Sequence, residues 1–295
     1  MTGENAKPFD RQLLALRRRR AAGEIASHEF LLKRVAEDFV DRLMIVKREF
    51  PKVLNVGSHH GVVSRAIEPL PSIGGVVDYD HSPELLAMCE GLKVLGDEET
   101  LAFGAGDFDL VVSGLSLQFV NDLPGALIQI RRALKPDGLF LAAVLGGETL
   151  KELRHAWLTA EAEITGGASP RVAPFVDVRA LGQLAQRAGF ALPVADSDLV
   201  TVTYESPIAL MRDLRGMGAG NVLAGRRKVP VTRELMARVC EVYQECFGLP
   251  DGRVEATFEI LTLTSWVPDE SQPKPLKPGS AQISLADVLG KTGKE

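Results

Sequence analysis

The chain has little cysteine. Cys89, Cys240 and Cys246 are the three in 295 residues, too few and too scattered for a disulfide framework or a zinc cluster. Cys240 and Cys246 lie six apart, do not face one another on a helix, and read as small buried hydrophobes. A reducing compartment such as the cytoplasm fits this usage. Charge of one sign is lacking too: 34 basic against 39 acidic residues leave −5, so neither nucleic acid nor an anionic membrane is an expected partner. The longest apolar run, residues 139–145, is far too short to span a bilayer. The first twenty residues hold no apolar signal core, and Glu4 and Asp10 share that stretch with Arg17 to Arg20, whereas organelle presequences avoid acids. There is no GxxxxGK[ST] sequence, which excludes a phosphate-cradling P-loop, and no complete GxGxxG, which argues against a dinucleotide site. No repeat or low-complexity block is present. What is there is ordinary for a globular protein, 45% apolar and 25% charged, which excludes disorder of the whole chain.

The pattern along the chain changes at Pro51. Before it, Phe9, Leu13, Leu14 and Leu16, then Phe30, Leu31, Val35, Phe39 and Leu43, recur at helical spacing. Residues 1–50 are therefore expected to form a helical arm, its arginine run either a solvated face or a docking arm for an acidic partner. From residue 51 short apolar strands alternate with helices. Strands are expected over 53–57, 75–80, 94–96, 108–113 and 139–145, and helices over 62–67, 84–90 and 124–134. Ser82 and Pro83 supply an N-cap and a first-turn proline. This alternation predicts an α/β fold with a parallel, doubly wound sheet. Helices follow over 148–164 and 178–188, then two alternating β-branched strands over 198–204 and 258–266. The sheet domain is assigned to 51–205 and 257–267, a helical lid to the insertion 206–256, and an extended tail to 268–295, which carries Pro273, Pro275, Pro278 and Gly279.

Open α/β sheets bind ligands at the carboxyl ends of their strands, and the chemistry-bearing residues cluster there. Gly57 and Gly61 flank the first strand-to-helix turn, where glycine permits close approach of a ligand. Asp80 ends the second strand and can accept from two vicinal ribose hydroxyls; Asp97, after the third, can accept from an exocyclic amine. Singly each is a turn or a cap; in this order they describe a nucleoside pocket.

The order of strand and glycine turn, Asp80-His81-Ser82-Pro83-Glu84, Asp97-Glu98-Glu99, Phe108-Asp109-Leu110-Val111 and Leu134-Lys135-Pro136-Asp137-Gly138 resembles the S-adenosylmethionine-dependent methyltransferases of the Rossmann-like class. More narrowly, residues 9–290 resemble the methyltransferase-fold assembly factors of respiratory complex I. Phe9-Asp10-Arg11, residues 113–124, Leu145-Gly146-Gly147-Glu148, Arg215-Gly216-Met217-Gly218, residues 256–260 and Glu270-Ser271-Gln272 carry that likeness. The resemblance implies a seven-stranded methyltransferase sheet and S-adenosylmethionine as cofactor. The cofactor residues it implies are Asn55, Gly57, Ser58, His59, Gly61, Asp80, His81, Asp97, Glu98, Ser113 and Leu115. It also implies a protein substrate, an iron–sulfur subunit of complex I, methylated or hydroxylated on arginine, in the bacterial cytoplasm or the mitochondrial matrix. Two alternatives stand beside it: a methyltransferase acting on a small molecule or carrier-protein thioester, as in biotin synthesis, and a non-catalytic chaperone that kept the fold.

The glycine turn departs from the family pattern acid-x-Gly-x-Gly-x-Gly. Asn55 replaces the acid and His59 the middle glycine. The loss of a charged hydrogen bond is worth about 1.5–3 kcal/mol, so weakened cofactor binding is expected. Gln118-Phe119 replace the family's His-Trp pair and remove a histidine base. His59, His60 and His81, near Asp78 and Asp80, raise the two-histidine-one-carboxylate set of non-haem iron enzymes, but no regular element fixes their spacing and no metal is expected. Glu148 and Tyr204 are the polar candidates for catalysis. Trp157 reads as core and His155 as surface.

Overall fold

The structure is a computed structural model that describes residues 7–273; the part of the expected tail carrying Pro275, Pro278 and Gly279 lies outside the described residues. The strands are β1 (Phe50–Val56), β2 (Ile73–Asp80), β3 (Leu92–Leu95), β4 (Phe108–Gly114), β5 (Leu134–Leu145), β6 (Ala191–Tyr204) and β7 (Val254–Trp266). They form one seven-stranded sheet in the order β3-β2-β1-β4-β5-β7-β6. The first five are parallel, and β7 runs antiparallel to both β5 and β6. Val53 of β1 pairs with Val76 of β2 and Leu110 of β4, so the carboxyl ends of the parallel strands fall on one edge.

Apolar runs without alternation are what a sheet covered on both faces requires. One face carries α2 (Phe30–Ile45), α3 (Val62–Ile67), α6 (Lys151–Thr165), α8 (Pro207–Gly216) and α9 (Arg233–Phe247), packed around Phe39, Leu110, Trp157 and Tyr243. The other carries α5 (Leu123–Ala133) and α7 (Val178–Arg187), packed around Leu54, Val111 and Phe140. The short α4 (Pro83–Leu86) begins at the Ser82 cap, whose hydroxyl accepts from Leu85 N.

The first helix, α1 (Arg11–Ala21), is held at its start by a cap and a bridge and along its length by the buried Leu14, Arg18 and Ala21. Asp10 caps it by accepting from Leu13 N at 3.0 Å. Phe9 forms a bridge with Leu223; Asp10 N donates to Val222 O and Ala224 N to Pro8 O, both at 2.8 Å. Phe9, Leu14, Phe119, Val222 and Leu223 make a small separate core.

Several boundaries differ from the sequence reading. β6 begins at Ala191, not 198, because it is an edge strand that tolerates Pro193 beside a register shift between Ala191 and Val194. β7 starts at Val254 and takes residues assigned to the lid. β5 absorbs the Lys135 to Gly138 stretch, with a pairing irregularity opposite Phe108 and Leu110. α9, within the stretch assigned to the lid, packs on α6 in the main helical layer through Val239 and Tyr243. Cys246 is exposed rather than buried, and Cys240 is half-buried, because α9 turns them from the face that holds Leu235, Val239, Val242 and Tyr243.

Candidate functional site

The turn after β1 is built as its glycines foretell. Gly57 and Gly61 adopt φ of 66° and 80°, and His59 between them 52°. Gly57 has no room for a side chain: a Cβ there would lie 2.1 Å from Ser116 Oγ. The turn is tied to the end of β2, where Gly57 N donates to Tyr79 O at 2.7 Å. Asp80 accepts from His59 N at 2.9 Å with one oxygen and from Ser82 N at 2.8 Å with the other. Asp80 thus serves first to hold the turn.

The centre of the site is a buried ion network that includes two residues of α1. Arg18 is 2% exposed. Its Nη1 lies 3.4 Å from Glu98 Oε1, 3.6 Å from Asp80 Oδ2 and 3.2 Å from His81 Nδ1, and its Nη2 donates to Ser116 Oγ at 3.4 Å. Arg11 donates to Asp97 Oδ1 at 2.8 Å and also to Glu98 Oε2. Ser116 Oγ donates to Glu98 Oε1 at 3.0 Å. Burial pushes the Glu98 carboxyl up, but the hydrogen bond from His81 and the charges of Arg18 and Arg11 outweigh it and hold Glu98 well below the usual carboxylate range. Burial raises Asp80, with the Glu98 charge adding to it and Arg18 opposing. Burial, with Arg18 and His60 adding, keeps His59 far below the usual histidine range and therefore neutral.

The other expected site residues divide. Gly57, Gly61, His59, Asp80, His81, Asp97 and Glu98 come together around the network. Asn55 turns away: its amide donates to Ser64 Oγ at 2.9 Å and Asp78 Oδ1 at 3.1 Å. Ser113 donates to Val56 O at 2.7 Å as a tie between strands. Ser58 lies 3.8 Å from Cys89 Sγ, and Leu115 is buried with φ of 50°. Glu148 is exposed and pairs with Lys151 at 3.2 Å. Tyr204 donates to Asp213 Oδ2 at 2.7 Å, while Asp213 Oδ1 lies 2.5 Å from His28 Nδ1; burial raises the Tyr204 hydroxyl. Neither Glu148 nor Tyr204 joins the network. The three histidines diverge, since His60 bonds Glu29 at 2.6 Å. Asp80, His81 and Glu98 do converge, with ligand atoms within 4.8 Å of one another, but Arg18 lies among them.

Beside the network, a cavity of about 820 Å³ opens along the next face of α1. Its floor is apolar, from Leu150, Trp157 and Phe258, and its mouth carries Arg17, Arg20, Arg212 and Arg215. Arg17 is lowered by burial, then by the charges of Arg226, Arg215 and Arg20.

Arg11, Arg18 and Ser116 fell in stretches that carry the resemblance but were not among the expected cofactor or catalytic residues. The signal for the arginines was present: Arg11, Leu14, Arg18 and Ala21 follow at intervals of three and four, the spacing of an inward stripe. The four-arginine run hid it.

For S-adenosylmethionine, implied by the resemblance, Asp80, Glu98 and the glycine turn are the residues that would hold the nucleoside: each Asp80 oxygen accepts one backbone N–H and keeps a further lone pair, and the Arg18 guanidinium lies between Asp80 and Glu98.

Comparison with known proteins bears on the same region. Residues 54–142 match the model of a methyltransferase domain. The mitochondrial arginine-hydroxylase NDUFAF5 of Danio rerio is 41% identical, over 97% of this chain and 90% of the relative. The human protein of that name is 40% identical, over 96% and 83%. A malonyl-[acyl-carrier protein] O-methyltransferase of Halorhodospira halophila is 34% identical, over 80% and 81%. Among solved structures, the YcgJ protein of Bacillus subtilis shares the fold, with a TM-score of 0.55 at 12% identity over 80% of this chain and 99% of that one. A methyltransferase-type sheet, a glycine turn tied to Asp80, and identity that runs through α1 and the lid lead to one assignment: the chain belongs to the methyltransferase-domain family that includes the NDUFAF5 arginine-hydroxylases.

Proposed function

We propose that this chain acts on an arginine of an iron–sulfur subunit during assembly of respiratory complex I, hydroxylating it as its relatives' name describes, with dioxygen and an external two-electron reductant as co-substrates, so that one oxygen atom enters the arginine and the other leaves as water. One observation carries the reading: identity to the arginine-hydroxylases spans nearly the whole chain, including the arm and lid that the methyltransferase-domain match at residues 54–142 does not cover. The ion network supports it. Its carboxylates and hydroxyl can accept from a guanidinium as they can from the hydroxyls and amine of a nucleoside, and S-adenosylmethionine, implied by the methyltransferase domain, is kept as the cofactor of this reading. The working compartment is the one in which those subunits acquire their clusters, the bacterial cytoplasm or the mitochondrial matrix. No helix among the described residues is long and apolar enough to cross a membrane.

The test is intact-mass analysis of the iron–sulfur subunits from cells with and without the gene. Deletion should lower the mass of one subunit by one oxygen atom, and fragmentation should map the loss to an arginine. A loss of one methylene would replace hydroxylation by methylation, and identical masses would overturn the reading.

A second reading, methyl transfer to an acidic acyl thioester, has one observation in its favour: the arginine-rimmed cavity with an apolar floor suits a carboxylate on an acyl chain. Incubation with S-adenosylmethionine and a malonyl thioester of a carrier protein separates the two: formation of the methyl ester favours methyl transfer, and an unchanged thioester favours the first reading.

A further inference from the structure

The four-arginine run of α1 does not act as one face. Arg18 turns inward to Glu98 and Asp80, and Arg19 lies 3.3 Å from Glu84. Arg17 and Arg20 line the mouth of the large cavity, where Arg212 and Arg215 of α8 join them. A second hollow of about 480 Å³ adjoins it, shares Arg17, Arg171 and Asn221 with it, and carries Arg227 and Lys228. The two hollows make one groove, from α8 across the end of α1 to residues 226–228.

Like charges held close repel one another, and most of this groove's cations have no acid to offset them. Among the described residues, Arg171 pairs with Glu161 and Arg226 with Asp10, but Arg17, Arg20, Arg212, Arg215, Arg227 and Lys228 pair with no carboxylate. Glu24 is the single acid among the described residues that line the large cavity, against five arginines. The Arg17 guanidinium rests on bare backbone, since a Cβ at Gly220 would lie 2.0 Å from its Nη1. The concentration is local, because the whole chain carries −5.

Such a cluster asks for an anion, and its shape selects the kind. A lone carboxylate is met by one or two guanidinium forks; cations spread along a groove suit several acids in a row. The floor beneath the mouth is apolar, with Trp157 7% exposed and the Arg171 guanidinium 4.3 Å from its ring centroid. The Trp157 face is therefore not open for the base stacking that single-stranded nucleic acid uses. A flat anionic membrane meets a recessed mouth poorly, and the net negative charge of the chain opposes it. An extended polypeptide matches both features, with acids on the rim and an apolar side chain over the floor.

We infer that this groove docks an acidic segment of a partner protein, its carboxylates on the arginines of α1 and α8 and on Arg227 and Lys228, and an apolar side chain between them over the cavity floor. Which protein carries the segment rests on the proposed function, where it is the modified subunit; the preference of the groove for carboxylates does not. The cations all lie outside residues 54–142, the methyltransferase-domain match.

The test compares the full chain with the variant Arg212→Glu/Arg215→Glu. Both positions are exposed, so the fold should hold, and equal melting midpoints check this. Should that variant unfold, Arg20→Glu/Arg227→Glu takes its place. Fluorescence anisotropy follows dye-labelled acetyl-Glu-Glu-Leu-Glu-Glu amide, its Gln-Gln-Leu-Gln-Gln counterpart and an oligothymidylate of the same charge, and sedimentation follows phosphatidylglycerol vesicles. The wild type should bind the acidic peptide but not the glutamine peptide, and added salt should weaken that binding. The variant should lose at least about tenfold in affinity. Absence of binding by the acidic peptide, equal binding of the glutamine peptide, or equal affinity in the variant overturns the inference. So does tighter binding of oligothymidylate, or vesicle binding that the variant abolishes, because the groove would then be a nucleic-acid or a lipid surface. The mass comparison in the deletion strain uses none of these variants, so failure of the one leaves the other standing.

Discussion

His59 is an imidazole enclosed in a tight turn, held neutral by burial and by the charge of the neighbouring Arg18 guanidinium. Its unfolded counterpart takes up a proton below about pH 6.5. The unfolded state therefore binds more protons than the folded state under mild acid, and stability must fall as pH falls through that value. Asp80, raised by burial, contributes with the opposite sign at lower pH, where its folded form holds a proton that the unfolded form has lost. Glu98, held low, contributes stability that is full above the usual carboxylate range and is lost as pH falls through its lower folded value. Replacing His59 by asparagine separates the first effect from the other two. Between about pH 7.5 and about pH 5.5 the wild type should lose stability at up to ~1.4 kcal/mol per pH unit, and His59→Asn should show a flatter profile in urea titrations. Parallel profiles would mean that the imidazole is solvated in the folded protein.

At the scale of elements, α1 is fixed by one buried leucine and by arginines that meet the carboxylates of the sheet edge. Its apolar hold on the domain is Leu14, fully buried in a cluster with Phe9, Phe119, Val222 and Leu223. Leu14→Ala should cost about 2–3 kcal/mol, the low end for such truncations, because a small cluster at the edge can close up. The loss should be local: proteolysis near Gly23 should quicken while sheet signals in circular dichroism stay unchanged, and global unfolding without early cleavage would contradict it. α1 also marks where the sequence was hard to read. The parallel strands and the glycine turn were legible because each of those five strands stops at or immediately before a glycine or an aspartate, and because φ of 66° and 80° at Gly57 and Gly61 demands that residue. Arg18 was not legible as a buried residue, since a run of four arginines reads as a solvated face until a carboxylate pair is placed against one of them. Glu98 was expected as a cofactor residue; its central role in the ion network follows from Arg11 and Arg18 meeting it from a helix about eighty residues earlier.

At the scale of the molecule, the order β3-β2-β1-β4-β5-β7-β6 explains which boundaries were misread. β6 is exposed along much of its length and pairs only with β7, from Ala191↔Trp266 to Tyr204↔Val254, so its polar residues and Pro193 disguised its first half. β7 lies between β5 and β6 and pairs with both. A chain ending at Leu249 would lose the partner of β6 and the antiparallel neighbour of β5, and with them Phe258, Leu261 and Leu263 from both core faces. Such a truncation should yield insoluble protein or a molten species that binds hydrophobic dyes, whereas a chain ending at Pro273 should melt cooperatively. A cooperative transition from the shorter chain would show that five parallel strands suffice.

The placement of β7 also bears on synthesis. While that segment is still inside the ribosome, the emerged polypeptide carries a slot between two strands whose edges have nothing to bind, and the helices meant to cover it stay half wetted. Nascent copies therefore need shelter from one another until translation is nearly over, and a ribosome that stalls late should leave a more aggregation-prone product than one that stalls early.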